Sequence, residues 1–115
     1  MCHILIIEDD AVAAYDIRDT LKSVGGTSFS IAETQDEAVR CARETRPALI
    51  TSDVMLASGS GPAAVRIIES ELGPLPVIFI TATPDQCERR TGHAVLEKPF
   101  LDADLTAAFR SAGSL

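Results

Sequence analysis

The sequence predicts an α/β fold: a doubly wound, five-stranded parallel sheet with helices on both faces. Two observations carry that prediction. Short aliphatic runs alternate with amphipathic stretches along the chain, and several runs are apolar on consecutive residues. A strand buried on both faces requires such a run, because its side chains meet a helix layer above and below the sheet. Strands separated by helices cross over and return parallel. At 115 residues the chain is long enough for one domain and too short for two, so residues 1–115 read as a single domain.

The first strand is His3 to Ile7, with Ile4-Leu5-Ile6-Ile7 as its apolar body. Ala14, Ile17, Leu21 and Val24 then share one helical stripe, closed by Gly25-Gly26. Phe29 to Ala32 is a short second strand. Thr34-Gln35-Asp36-Glu37 reads as a capping box opening a second helix. That helix carries Ala38, Cys41 and Ala42 and stops before Pro47. Ala48 to Ser52 is the third strand and runs into Asp53. A loop with Gly59 and Gly61 leads to Pro62, whose fixed φ suits the first helical position. Val65, Ile68 and Leu72 form the inner face of that third helix, and Gly73-Pro74 ends it. Pro76 to Thr81 is the fourth strand. Pro84 to Gly92 is polar and only weakly periodic, and Ala94 to Glu97 is the fifth strand. Asp102 is expected to cap a last helix that buries Leu105, Ala108 and Phe109, and Ser111-Ala112-Gly113-Ser114 reads as a frayed tail.

Composition excludes several functions. Hydrophobic residues make up 46% of the chain and aromatics only 4%, so the core must be aliphatic. Ten basic residues against seventeen acidic ones give a net charge of -7. That balance opposes direct nucleic-acid binding and an anionic membrane surface, both of which need lysine and arginine. A protein partner or a cation suits it better. Cys2, Cys41 and Cys87 are odd in number and widely spaced, with no CxxC pair, and read as reduced thiols of a cytoplasmic protein. The run Ile4 to Ile7 is too short to span a membrane, and no basic segment precedes it as in a signal peptide.

In an open α/β sheet, ligands bind outside the carboxyl ends of the strands. Glu8-Asp9-Asp10 follows the first strand, Asp53 the third, Thr81 closes the fourth, and Glu97-Lys98-Pro99 ends the fifth. Taken singly each is ordinary: a solvated acidic turn, a capping aspartate, a strand-end hydroxyl, a surface lysine. Their joint placement after buried strands is the signal. Clustered carboxylates repel one another unless a cation sits among them. Oxygen donors without His or Cys favour Mg²⁺. A metal-neutralised aspartate can attack phosphorus, in a transfer that needs little beyond positioning and charge neutralisation. A lysine and a hydroxyl supply the remaining contacts to phosphoryl oxygens.

On these residues the chain resembles the receiver domains of bacterial response regulators, over essentially its whole length. The motifs are Ile4-Leu5-Ile6-Ile7-Glu8-Asp9-Asp10, then Ser52-Asp53-Val54-Met55-Leu56 with Gly61 eight residues beyond Asp53. Pro76-Val77-Ile78-Phe79-Ile80-Thr81-Ala82 and Glu97-Lys98-Pro99-Phe100 complete the set. The resemblance implies the flavodoxin-like strand order 2-1-3-4-5 and Asp53 as phosphoacceptor. It implies Mg²⁺ held by Asp9 directly, by Glu8 through water, by Asp53 and by the Met55 backbone carbonyl. Thr81 would bind a phosphoryl oxygen and move on activation. Lys98 would pair with the phosphoryl group, with a cis Lys98-Pro99 bond. Asp10 would begin the first helix. The implied donor is a sensor histidine kinase or phosphotransfer protein, the implied reader a downstream target protein, and homodimerisation is an option. Catalysis of its own would amount to weak autophosphatase activity at most.

The sequence departs from the family pattern at two places. Val95 stands where members usually carry an aromatic residue that swings inward as the threonine moves. Only seventeen positions separate Thr81 from Lys98, short of the usual spacing by roughly one helical turn, about 3.6 residues. The missing length falls on Pro84 to Gly92, which implies a shortened, mobile fourth helix and a signal read out by ordering of residues 82–92. The Pro-x-x-Phe-x-Thr run partly resembles an alphaproteobacterial receiver subgroup, which often has Gly and an aromatic after the threonine; Ala82 and Thr83 stand there instead. Three other readings compete with a stand-alone receiver: a receiver from a larger transcriptional regulator, a phosphate sink or shuttle, and an Asp-nucleophile phosphohydrolase. The last wants a second acid two residues after the nucleophile, where Met55 stands. Gly59-Ser60-Gly61 lacks the full glycine fingerprint of a nucleotide site and reads as a turn before a helix.

Overall fold

A computed structural model describes residues 2–84 and 93–113. The expected short fourth helix beyond Pro84, and with it the Cys87 thiol, falls on 85–92, outside the described residues. The elements run β1 (His3–Ile7), α1 (Ala11–Lys22), β2 (Ser28–Ala32), α2 (Gln35–Glu44), β3 (Leu49–Asp53), α3 (Gly61–Leu72), β4 (Val77–Thr81), β5 (His93–Glu97) and α4 (Asp102–Gly113). All described strand pairs are parallel, in the order β2-β1-β3-β4-β5. The doubly wound α/β sheet and its 2-1-3-4-5 order are therefore as the sequence predicts.

The alternation of strand side chains splits the core in two. Leu5, Ile7, Ile50, Val77 and Phe79 face α2 and α3, where Ala38, Ala42, Val65 and Ile68 meet them. Ile4, Ile6, Leu49, Ile78 and Ile80 face the other way, onto Ala14, Ile17 and Leu21 of α1 and Leu105 of α4. The strands read as unbroken apolar runs because both of these layers are dry. Burying such side chains gains about 1.5–3 kcal/mol each, so the central strands supply most of the folding drive.

The caps explain where the chain turns. Asp10 is the N-cap of α1, its carboxylate accepting from the Val12 N–H at 3.0 Å. The Thr34 hydroxyl accepts from the Glu37 N–H at 3.1 Å, which is the N-cap half of the predicted box. Ser60 caps α3 through the Ala63 N–H, so Pro62 is the second helical residue rather than the first. Gly73 ends α3 at φ 85°, a conformation that favours glycine.

One expectation is corrected at α4. Asp102 is its first residue and not its cap. The Asp104 carboxylate reaches back to the Leu101 N–H at 3.4 Å, while the Asp104 N–H donates to the Leu101 carbonyl at 2.9 Å. Asp104, at the third helical position, thus makes the reach-back half of a capping box to Leu101, and Asp102 does not supply the cap the sequence assigns to it.

β5 also begins earlier than its apolar pattern. His93 starts it with a side chain only 4% exposed, its Nε2 3.0 Å from Glu69 Oε1 on α3. The His93 and Phe79 rings meet in a T-shaped contact, 5.6 Å between centroids. Cys2 and Cys41 are free thiols. Among the described residues no helix is long and apolar enough to cross a membrane.

Candidate functional site

Strand ends deliver the site. Glu8 continues β1, its N–H donating to the Ala32 carbonyl at 2.9 Å, and its side chain is only 3% exposed. Asp9 is exposed, and its Oδ2 accepts from the Ala57 N–H at 2.7 Å, which ties the loop after β3 to the end of β1. Asp53 closes β3. Its Oδ1 accepts from the Val54 N–H at 2.8 Å and its Oδ2 from Lys98 Nζ at 3.3 Å. Lys98 Nζ lies 3.5 Å from Glu8 Oε1, so one ammonium faces two carboxylates. Oxygens of Glu8, Asp9 and Asp53 lie within 4.8 Å of one another.

The loop between β3 and α3 is held tightly. Met55 bridges to Ser60, and the Gly61 N–H donates to the Val54 carbonyl at 3.0 Å. A Cβ on Gly61 would overlap the Asp53 carbonyl oxygen and Ser52 Oγ. Only glycine allows that approach. Gln35 clasps the same loop from α2: its Oε1 accepts from the Ser60 N–H, and its N–H donates to the Ser58 carbonyl, both at 3.1 Å. On the other side, the Lys98-Pro99 bond is cis and the Lys98 N–H donates to the Thr81 carbonyl at 2.8 Å. Beside Asp53 opens a cleft of about 610 Å³, whose lining includes Glu8, Asp53, Lys98, Ile17, Thr51 and Phe100.

The electrostatics follow from burial and charge. Burial, then the nearby Asp53 carboxylate, push the Glu8 carboxyl up from 4.5 to about 7; Asp9 adds to the shift and Lys98 opposes it. Burial pulls the Lys98 ammonium down, but Glu8 and Asp53 outweigh it, and its pKa is raised. Glu8 Oε2 is buried with no hydrogen-bond partner. Three carboxylates, one of them with an orphaned oxygen, against a single lysine form a set that fits a hard divalent cation such as Mg²⁺. Glu8, Asp9, Asp53 and the Met55 carbonyl remain the candidates to hold it.

The sequence-predicted residues therefore converge, with one difference. Thr81 ends β4 beside the site, but its hydroxyl is engaged by Thr83. The supporting groups that sequence reasoning missed are the Ala57 N–H, Gln35, Thr83 and the buried Ser52, whose Oγ donates to the Asp53 carbonyl at 2.8 Å. None carries a charge, and the contact each makes with the site is visible only in the fold: Ser52 stands within a strand-end motif and Gln35 within a capping box, but neither pattern assigns them a role there.

Residues 4–110 match the response regulator receiver domain, and the chain belongs to that family of signalling domains. Among its curated relatives, the phyllosphere-induced regulator PhyR of Methylorubrum extorquens is 39% identical over 114 residues, covering 95% of this chain and 42% of the relative. The transcriptional regulatory protein YvrH of Bacillus subtilis is 29% identical over 113 residues, covering 94% and 47%. The chain thus spans less than half the length of these curated relatives. Among solved structures, the receiver domain of Erythrobacter litoralis PhyR superposes with a TM-score of 0.88 at 29% identity, over 99% of this chain and 91% of that one. The anti-anti-sigma factor PhyR of Bartonella quintana gives 0.85 at 34% identity, over 98% and 47%.

Proposed function

We propose that this domain accepts a phosphoryl group on Asp53 from a phosphohistidine donor and that the modified domain regulates a partner protein. One observation carries the reading: Asp53 stands at the carboxyl edge of the sheet with Lys98 on one oxygen and Glu8 and Asp9 within reach of a shared cation. A carboxylate oxygen of Asp53 forms the new bond to phosphorus as the donor's nitrogen–phosphorus bond breaks. Lys98 holds Asp53 in place beforehand and pairs with a phosphoryl oxygen afterwards. Glu8, Asp9, Asp53 and the Met55 carbonyl hold Mg²⁺, which neutralises charge among the carboxylates and on the transferred group. Thr81 takes a further phosphoryl oxygen. The domain is a switch rather than a catalyst, with slow loss of its own phosphoryl group as its reset.

The likeness to regulators named PhyR, one of them described as an anti-anti-sigma factor, favours a protein target over nucleic acid, as does the net charge of -7. A sensor histidine kinase or phosphotransfer protein is the donor, and residues 1–115 act as one receiver unit. The test is direct. Incubation with Mg²⁺ and a small phosphodonor should add one phosphoryl group to the intact mass. Asp53→Asn or a chelator should abolish the gain. A gain that survives Asp53→Asn, or no gain in the native protein, would refute the reading.

A further inference from the structure

Thr81 is held in a conformation that the acceptor reading must undo. Its side chain is only 2% exposed. The Thr83 N–H donates to Thr81 Oγ1 at 3.0 Å, and the two hydroxyls share a hydrogen bond of 3.2 Å, either one donating. Among the described residues, these are the partners of the Thr81 hydroxyl. The cleft beside Asp53 is lined by Ile80 and Ala82, on either side of Thr81, but not by Thr81 itself. The hydroxyl is therefore buried outside the cleft lining and committed to Thr83.

The backbone at this point does not share that freedom. Thr81 pairs with Glu97 in the sheet, and its carbonyl accepts from the Lys98 N–H at 2.8 Å. Only the side-chain torsion is left to change, and in a β-branched residue that torsion has few wells. What sets the choice of well is the hydrogen bonding at Oγ1. Val95, two residues before the strand position paired with Thr81, is packed against the core on the α2–α3 side and offers no polar group.

We propose that Thr83 is a positioning residue: its hydroxyl latches the Thr81 hydroxyl away from Asp53 and thereby lowers the affinity of the resting site for a phosphoryl group. The inference rests on the reading that Thr81 contacts that group. Thr83 itself is exposed, at the start of the segment between β4 and β5, so what touches this segment can set or release the latch. Turning Oγ1 away gives up both the Thr83 N–H and the Thr83 hydroxyl, and the hydroxyl's share of that cost is a single hydrogen bond between neutral groups.

The experiment measures binding of beryllofluoride, a phosphoryl mimic, in the presence of Mg²⁺ by the whole chain. Thr83→Val removes the latching hydroxyl and keeps the shape and the backbone N–H. It is expected to tighten binding about fivefold, the effect of losing one neutral hydrogen bond from the resting state. Thr83→Ser keeps the hydroxyl and should bind as the native protein does. In a Thr81→Ala background, Thr83→Val should have no effect, because the latch has nothing to hold. Unchanged binding in Thr83→Val, or a gain that persists without the Thr81 hydroxyl, overturns the latch. A gain in Thr83→Ser equal to that of Thr83→Val overturns it too. If the native protein takes up no mimic at all, the acceptor reading fails first and the latch falls with it, which separates the two failures.

Discussion

Removing a charge from the middle of the acidic cluster should strengthen the fold. Glu8 is only 3% exposed and its Oε2 has no partner, yet near neutral pH it must carry at least part of a negative charge. Its carboxyl is lifted from 4.5 to about 7, first by burial and then by Asp53. The sign is set by proton linkage. The folded state holds a proton that the unfolded chain gives up, so the contribution of Glu8 is fully present below about pH 4.5 and is lost as pH rises through about 7. At about 1.4 kcal/mol for each tenfold change, the full loss is on the order of 3 kcal/mol. Glu8→Gln has nearly the same shape and no charge, but it gives up the attraction of Lys98 at 3.5 Å. The variant should gain about 1–3 kcal/mol over the native protein at about pH 8 and show little difference at about pH 4.5. Urea unfolding at the two pH values with a chelator present measures this. A stability difference that stays constant between them would mean that Glu8 is not strained by its burial, and the reasoning would be wrong.

Further outcomes follow from the same geometry. Holding a cation requires Glu8 to ionise, so apparent Mg²⁺ affinity should rise about fivefold between about pH 6 and pH 7; a flat calorimetric titration series would contradict that. Gly61→Ala places a methyl group against the Asp53 carbonyl and Ser52 Oγ, and should cost at least about 2 kcal/mol in urea unfolding. A change within experimental error would show that the loop can give way. Thr51 buries a hydroxyl without a partner, so Thr51→Val should raise stability by about 1 kcal/mol; a loss would mean that the hydroxyl is satisfied in solution.

Much of this was legible in the sequence because it depends on neighbours along the chain. Ile4 to Ile7 and Val77 to Ile80 announce doubly covered strands, and Thr34 announces its helix with a hydrogen bond three residues away. The placement of Glu8, Asp9, Asp53, Thr81 and Lys98 after strands was legible for the same reason. What escaped is what depends on distant approach. His93 starts a strand because Glu69 and Phe79 meet it, and neither is near it in sequence. Gln35 looks like an ordinary first-turn residue until the loop at Ser58 to Ser60 comes against it. Asp102 reads as the cap on paper, but the helix already includes it, and Asp104 is the acid that reaches back to Leu101. The engagement of Thr81 by Thr83 is local, but two hydroxyls spaced two apart in a polar stretch carry no pattern that singles them out.

The pinned backbone between Thr81 and Lys98 has a consequence for tempo. The 2.8 Å hydrogen bond and the parallel pairing of β4 with β5 leave no hinge at this corner. A rearrangement of the Thr81 hydroxyl is then a single bond rotation, without travel of a loop or a helix. Exposed side chains flip in picoseconds to nanoseconds, but Thr81 is buried and its rotation also needs room beside the strand. The corner therefore changes by the occupancy of side-chain wells, and that occupancy determines what another protein meets.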